Sequence, residues 1–309
     1  MEIVFICPPV TVINGGIKYI FRMVETLCDF GYNAVVFEEK ERRPTWFSNT
    51  APIVGRYVLQ PNPDQIYVLP EDQTHLLDTL KDWPQQLVIY SQNHFYSACR
   101  LNNFESYSDY NVTHLICSSL AIYEHARIRH PKMTAHVIPC SIDPLLFRPA
   151  NKRNNITFMP RKRPVEATYI RDMFRHSYAQ YRDWRWQELS NLNEGEVAKA
   201  MGEARVFLSL SRLEGFGVTP LEAMAAGSVV AGFTGIGGRE YATKENGFWA
   251  EEDDFPTCIQ QIQAAIELSC QKGPARTAYS DACQKTLCKY TPEQFRKAVK
   301  DVWEQILQV

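Results

Sequence analysis

The sequence predicts two α/β domains in series, each a mostly parallel sheet with helices packed on both faces. Three observations carry that reading. Short apolar runs alternate with amphipathic segments along most of the chain, the pattern of helices laid on a parallel sheet. A polar stretch from Asp143 to Asn155, with Pro144, Pro149 and the cations Lys152 and Arg153, interrupts the alternation near the middle. Finally, 309 residues are enough for two domains with a core each.

The first element is the apolar strand Ile3 to Cys7. A helix follows, because Ile17, Ile20, Phe21, Val24, Leu27 and Cys28 keep 3.6-residue spacing, and Gly31 closes it. Asp29-Phe30-Gly31 is accordingly a helix end, although it imitates a kinase metal motif. Strands are expected at Ala34 to Phe37, Ile66 to Leu69, Leu87 to Tyr90, Leu115 to Cys117 and His136 to Ile138. Beyond the polar stretch come strand Ile156 to Met159, a helix around Val165 to Phe174 and strand Arg185 to Leu189. Helix Glu196 to Ala204, strand Val206 to Leu210, helix Pro220 to Ala226 and strand Val229 to Phe233 follow. Thr291-Pro292-Glu293 starts a last helix running to Leu307, with proline at its first position. The domains are drawn at 1–148 and 149–290, with the helix of 291–309 packing back toward the first.

Composition excludes several classes. A formal net charge of −2 supplies no basic field for nucleic acid. No apolar stretch reaches the roughly 18 to 20 residues that cross a bilayer, so membrane contact is at most peripheral. The chain opens on a strand without a secretory leader, and nine cysteines stand without C-x-x-C pairs, as free thiols in a reducing cytosol do. A cytoplasmic location is expected, with no metal site. The acidic run Glu251 to Asp254 reads as a solvated loop whose charge favours the helix behind it.

Sheets of this kind bind ligands beyond the carboxyl ends of their strands. The richest such turn is Val206 to Gly227, V-F-L-S-L-S-R-L-E-G-F-G-V-T-P-L-E-A-M-A-A-G. Gly215 and Gly217 let a ligand approach the main chain, and Thr219 as N-cap with Pro220 behind it opens a helix. The N–H groups of Phe216, Gly217, Val218 and Thr219 then face an anion, which the helix dipole favours. Glu214 and Glu222 border the same phosphate-sized space, and carboxylates accept hydrogen bonds from vicinal hydroxyls such as those of ribose and hexose. Glu222 has a second reading, since Thr219-x-x-Glu222 also spells a capping box.

Two glutamates eight positions apart around G-F-G make this chain resemble the family-four, GT-B retaining glycosyltransferases, the glycosyl transferases of group 1. The resemblance extends to Ile138 to Pro149, Gly237 to Tyr241 and Asn246 to Ala250, in the family's order. It implies two Rossmann-like α/β/α domains facing a cleft. It implies a sugar moved from a nucleoside diphosphate sugar, UDP- or GDP-linked, to a hydroxyl of a glycan, lipid-linked or small-molecule acceptor, with retention and without a metal or other cofactor. Glu214 would orient the donor sugar and Glu222 the ribose. Arg161 and Lys162, at the end of a strand, would neutralise the diphosphate, with Arg163 a third choice in the same run. Gly15 and Gly16 would face the diphosphate and acceptor, and His94 would stand near the reacting carbon as a catalytic group. Cys140-Ser141 departs from the family's Asn-Gly at the turn before the crossover. Other readings are a sugar-nucleotide-binding subunit without catalysis and a sugar-nucleotide epimerase of the same architecture. Donor base, sugar, acceptor, linkage and oligomeric state are not legible.

Overall fold

Strand β1 (Glu2–Ile6) lies between β2 (Ala34–Phe37) and β4 (Gln65–Pro70), parallel to both. In this computed structural model, which describes residues 1–55, 59–101 and 105–308 with the side chains of 98–100 set aside, the chain divides into two units. The first comprises Met1–Cys140 together with the chain from Glu293 onward, and the second comprises Ser141–Pro292. No helix among the described residues is long and apolar enough to cross a membrane.

The first unit holds a seven-stranded parallel sheet. Its remaining strands are β3 (Ile53–Val54), β5 (Gln86–Ser91), β6 (Val112–Cys117) and β7 (Thr134–Val137), and the order is β3-β2-β1-β4-β5-β6-β7. The central strands are apolar on both faces because helices cover both. Helix α1 (Gly15–Asp29) buries Ile17, Ile20, Phe21, Val24 and Leu27, the positions its period picks out. Its end is closed by the N–H of Gly31 on Cys28 and that of Tyr32 on Leu27. The short helices α2 (Leu77–Leu80), α3 (His94–Arg100) and α4 (Leu120–Arg129) complete the chain to β7. One face of the sheet packs around Val4, Tyr67, Leu69, Ile89 and Leu115.

The last helix, α10 (Pro292–Leu307), closes this same unit. Trp303 is fully buried with its ring 5.8 Å from that of Phe5 on β1, and Phe295 lies 6.3 Å from Tyr19 on α1. Arg296 donates to Asp29 at 2.6 Å and covers the Phe30 ring.

The second unit has five parallel strands: β8 (Arg153–Phe158), β9 (Arg185–Glu188), β10 (Ala204–Ser211), β11 (Val229–Thr234) and β12 (Phe248–Ala250). Their order is β12-β11-β10-β8-β9. Helices α5 (Pro164–Ser177), α6 (Glu194–Glu203), α7 (Thr219–Ala225), α8 (Phe255–Cys270) and α9 (Pro274–Leu287) flank them. The division falls at Cys140/Ser141, earlier than the expected 148/149. The crossover segment is packed into the second unit: Ile142 N–H donates to Tyr290 O at 2.8 Å, and Ala150 N–H to Gly202 O at 3.0 Å. Lys152 adds to that attachment by donating to the carbonyls of Met201, Ala204 and Ala226, near the ends of α6 and α7.

Candidate functional site

The direction of the second sheet reverses between β8 and β10, because β9 lies on one side of β8 while β10 and β11 extend on the other. Parallel sheets leave a crevice at that point, beyond the carboxyl ends of the two strands. Two turns of the sequence meet there. After β8 the chain makes a single 3-10 turn, Pro160–Lys162, and after β10 it makes the loop that carries Glu214.

The two turns are joined by charge. Lys162 Nζ lies 3.9 Å from Glu214 Oε1, each side chain about a quarter exposed. At that exposure the pair contributes little to stability, and both groups stay within reach of a ligand. Arg161 is exposed beside them. Arg163 is different. It is buried, with its guanidinium 4.5 Å from the Phe233 ring and paired with Glu252 and Asp253. The acidic run is therefore only partly the solvated loop expected of it. Two of its carboxylates neutralise a buried cation, and Arg163 holds Asp253 below the usual carboxylate range. Asp254 keeps the expected role, accepting the N–H of Thr257 at the head of α8. Of the three cations, Arg163 anchors the turn while Arg161 and Lys162 remain at its surface.

The loop after β10 is shaped by two glycines. Gly217 has φ +82°, and its carbonyl accepts from Tyr241 Oη at 2.5 Å. A Cβ at Gly237 would run into the main chain of Gly215 and Phe216, so only glycine lets the 3-10 turn Gly237–Glu240 lie against the loop. Gly237 N–H donates to Glu214 O at 3.0 Å, tying that turn to the catalytic candidate itself. Phe216 is buried between Tyr241 and Tyr290, with ring centroids at 5.7 and 5.2 Å. This aromatic group fixes the loop from behind. Among the described residues, the main-chain N–H groups of Phe216, Gly217 and Val218 donate to no protein acceptor. Helix α7 starts at Thr219, with Pro220 in its first turn and Val218 at the cap position, where no side chain caps it. Thr219 is thus the first helical residue and not the N-cap, which removes the capping-box reading of Glu222. Glu222 sits in that first turn, 8% exposed.

In the first unit the sheet reverses between β1 and β4. Gly15 and Gly16 begin α1 after β1, with Asn14 as N-cap accepting from Gly16 N–H at 2.9 Å. His94 begins α3 after β5, with Asn93 as N-cap. Its ring lies 5.3 Å from that of His125, and burial together with His125 lowers its pKa, favouring neutral imidazole. His114 on β6 and His136 on β7 bond each other at 3.0 Å.

Of the residues expected at the donor site, Lys162 and Glu214 meet at the strand-end crevice, Arg161 lies in the same turn as Lys162, and Glu222 lies in the first turn of α7. It did not single out Gly237, Tyr241 or Tyr290 as shapers of the loop, nor Glu71 and Gln92 in the first unit. Gly237 and Tyr241 lay inside a quoted motif. Glu71 and Gln92 had only their position after a strand as a signal, and Tyr290, between the last two helices, had none.

Comparison with known proteins is consistent across the chain. Residues 187–285 match the family Glycosyl transferases group 1. The chain is 26% identical over 266 residues to an alpha-1,6-glucosyltransferase of Actinobacillus pleuropneumoniae, covering 82% of this chain and 80% of that one. Sucrose-phosphate synthase from Thermosynechococcus elongatus superposes with a TM-score of 0.74 at 14% identity, over 100% of both chains. Anabaena HepE, solved in complex with UDP-glucose, superposes with a TM-score of 0.68 at 13% identity, over 99% of this chain and 100% of that one.

Proposed function

We propose that this chain, a glycosyltransferase of GT-B fold, moves a sugar from a nucleoside diphosphate sugar to a hydroxyl acceptor with retention of anomeric configuration and without a metal. The observation that carries the reading is the convergence, at the switch point of the second sheet, of the Lys162–Glu214 pair with the unengaged N–H groups of Phe216 to Val218. That set offers cations and N–H donors for a diphosphate, and carboxylates for the hydroxyls on either side of it.

In this reading Arg161 and Lys162, together with the loop N–H groups, stabilise the departing diphosphate. Glu214 orients the donor sugar, and Glu222 accepts from the ribose hydroxyls. The acceptor oxygen bonds to the anomeric carbon as the bond from that carbon to the phosphate oxygen breaks. The freed phosphate oxygen takes the acceptor's proton on the same face, so no protein nucleophile is needed. His94, kept neutral by its surroundings, serves as a hydrogen-bonding group toward the sugar, and the Gly15–Gly16 turn serves the diphosphate and acceptor. Cytoplasmic action on a UDP- or GDP-linked donor is part of the proposal. The glucosyltransferase relative and the UDP-glucose complex make UDP-glucose the first donor to try.

The test is a panel of nucleotide sugars scored for binding and for nucleotide release with glycan, lipid-linked and small-molecule hydroxyl acceptors. Acceptor-dependent release from one donor supports the reading. Conversion of a donor without any acceptor would instead reveal an epimerase, and binding without turnover across the panel would reveal a non-catalytic subunit.

A further inference from the structure

The switch point of the first sheet holds a buried carboxylate that the mechanism above does not use. Glu71 follows β4 directly and is 4% exposed. Its Oε2 accepts the main-chain N–H of Gln92 at 3.0 Å, and the main-chain N–H of Asn93 also favours its charged form. No lysine or arginine among the described residues pairs with it. Gln92 carries the connection onward, since its Nε2 donates to Gly16 O at 3.1 Å. Tyr107 holds the other side, donating from its hydroxyl to Glu71 O at 3.2 Å.

We propose that Glu71 is a positioning residue: its carboxylate fixes the Gln92-Asn93-His94 corner, and through the Gln92 side chain fixes that corner relative to the Gly15–Gly16 turn. Both ends of this relay are groups assigned to sugar transfer, so its functional part rests on the proposed function. The chemistry asks for a carboxylate. An ionised carboxylate only accepts hydrogen bonds and can meet two successive main-chain N–H groups, whereas an amide would turn an NH2 toward one of them. A carboxylate buried without a cation costs folding free energy: burial raises the Glu71 pKa to about 8, so the ionised form that holds the corner prevails above that pH, and the measurements below are made at about pH 9. Its benefit is therefore geometric. The corner it holds opens α3, a helix only seven residues long.

The relay has a second entry point. A Cβ on Gly16 would lie 2.9 Å from Gln92 Oε1, the far end of a flexible side chain. Gly16→Ala therefore displaces the Gln92 amide without disturbing the sheet.

The experiment compares the full-length wild type with Glu71→Gln, Gln92→Ala and the double variant. Amide hydrogen exchange over residues 91–97 is measured alongside UDP affinity and acceptor-dependent nucleotide release from UDP-glucose or whichever donor the panel selects. Exchange at Gln92 and Asn93 should rise about tenfold in Glu71→Gln, as expected when a local opening loses a charge-assisted bond. The transfer kcat should fall roughly 30-fold while UDP affinity stays within about twofold, the loss expected of a misplaced reacting group. The double variant should be no slower than the slower single one, because both act on one relay. Unchanged exchange at Gln92 and Asn93, wild-type transfer by Glu71→Gln, or additive losses would each overturn the proposal. Should Glu71→Gln not fold, Gln92→Ala must reproduce the kcat loss with UDP affinity retained, and a wild-type rate in it would overturn the proposal. A wild type that releases nucleotide from no donor ends the proposed function instead, and the exchange measurement then decides Glu71 alone.

Discussion

Glu214 and Glu222 differ in what surrounds them, and their variants should differ accordingly. Glu214 is partly exposed and paired with Lys162, so Glu214→Ala should lower transfer about 100-fold with little change in melting temperature. Glu222 is buried in the first turn of α7, and Glu222→Ala should weaken donor binding about tenfold, read by calorimetry with UDP. Equal donor affinity and turnover in both variants would remove their assignment. His130 gives a pH test. Burial, with Arg129 and His125 nearby, pushes its pKa down to about 4 from 6.5, so it is neutral in the fold where the unfolded chain is already protonated. Its contribution is complete above about pH 6.5 and is lost as pH falls toward 4, because the unfolded state then binds the extra proton. His130→Gln should flatten the fall of melting temperature between pH 7 and 5, and a parallel curve would refute that.

Among the elements, the β10–α7 loop depends on a neighbour it meets only in space. Gly237→Ala forces a methyl group into the main chain of Gly215 and Phe216, which should cost about 2 kcal/mol of stability by overpacking and should abolish UDP binding. Retained binding would show that the loop tolerates another path. The loop's start, its glycines and its proline were legible in the sequence. Its cap was not, because a capping-box spelling is local, and here the helix begins one residue earlier than that spelling requires. Arg163 shows the same limit. Three adjacent cations read alike in a sequence, and only the placement of Phe233, Glu252 and Asp253 separates the buried anchor from the two at the surface of the turn.

At the scale of the whole molecule, the first unit is completed by the last helix. Trp303→Ala should destabilise that unit by about 3 to 5 kcal/mol, seen as a lower denaturation midpoint, since the ring is fully buried against Phe5. A midpoint within about 1 kcal/mol of the wild type would mean that α10 is dispensable to the unit's core. By itself the sequence determined the alternation of strands and helices, the parallel sheets and the strand-end turn that carries Glu214, because side-chain period and turn chemistry are properties of neighbours along the chain. Strands β3 and β12 escaped it, being two and three residues long. Only the tertiary structure decided that the crossover belongs with the second unit, that Arg163 is an anchor and that Glu71 reaches Gln92. These depend on contacts between residues far apart in sequence, and burial, not residue type, sets their charge and their role.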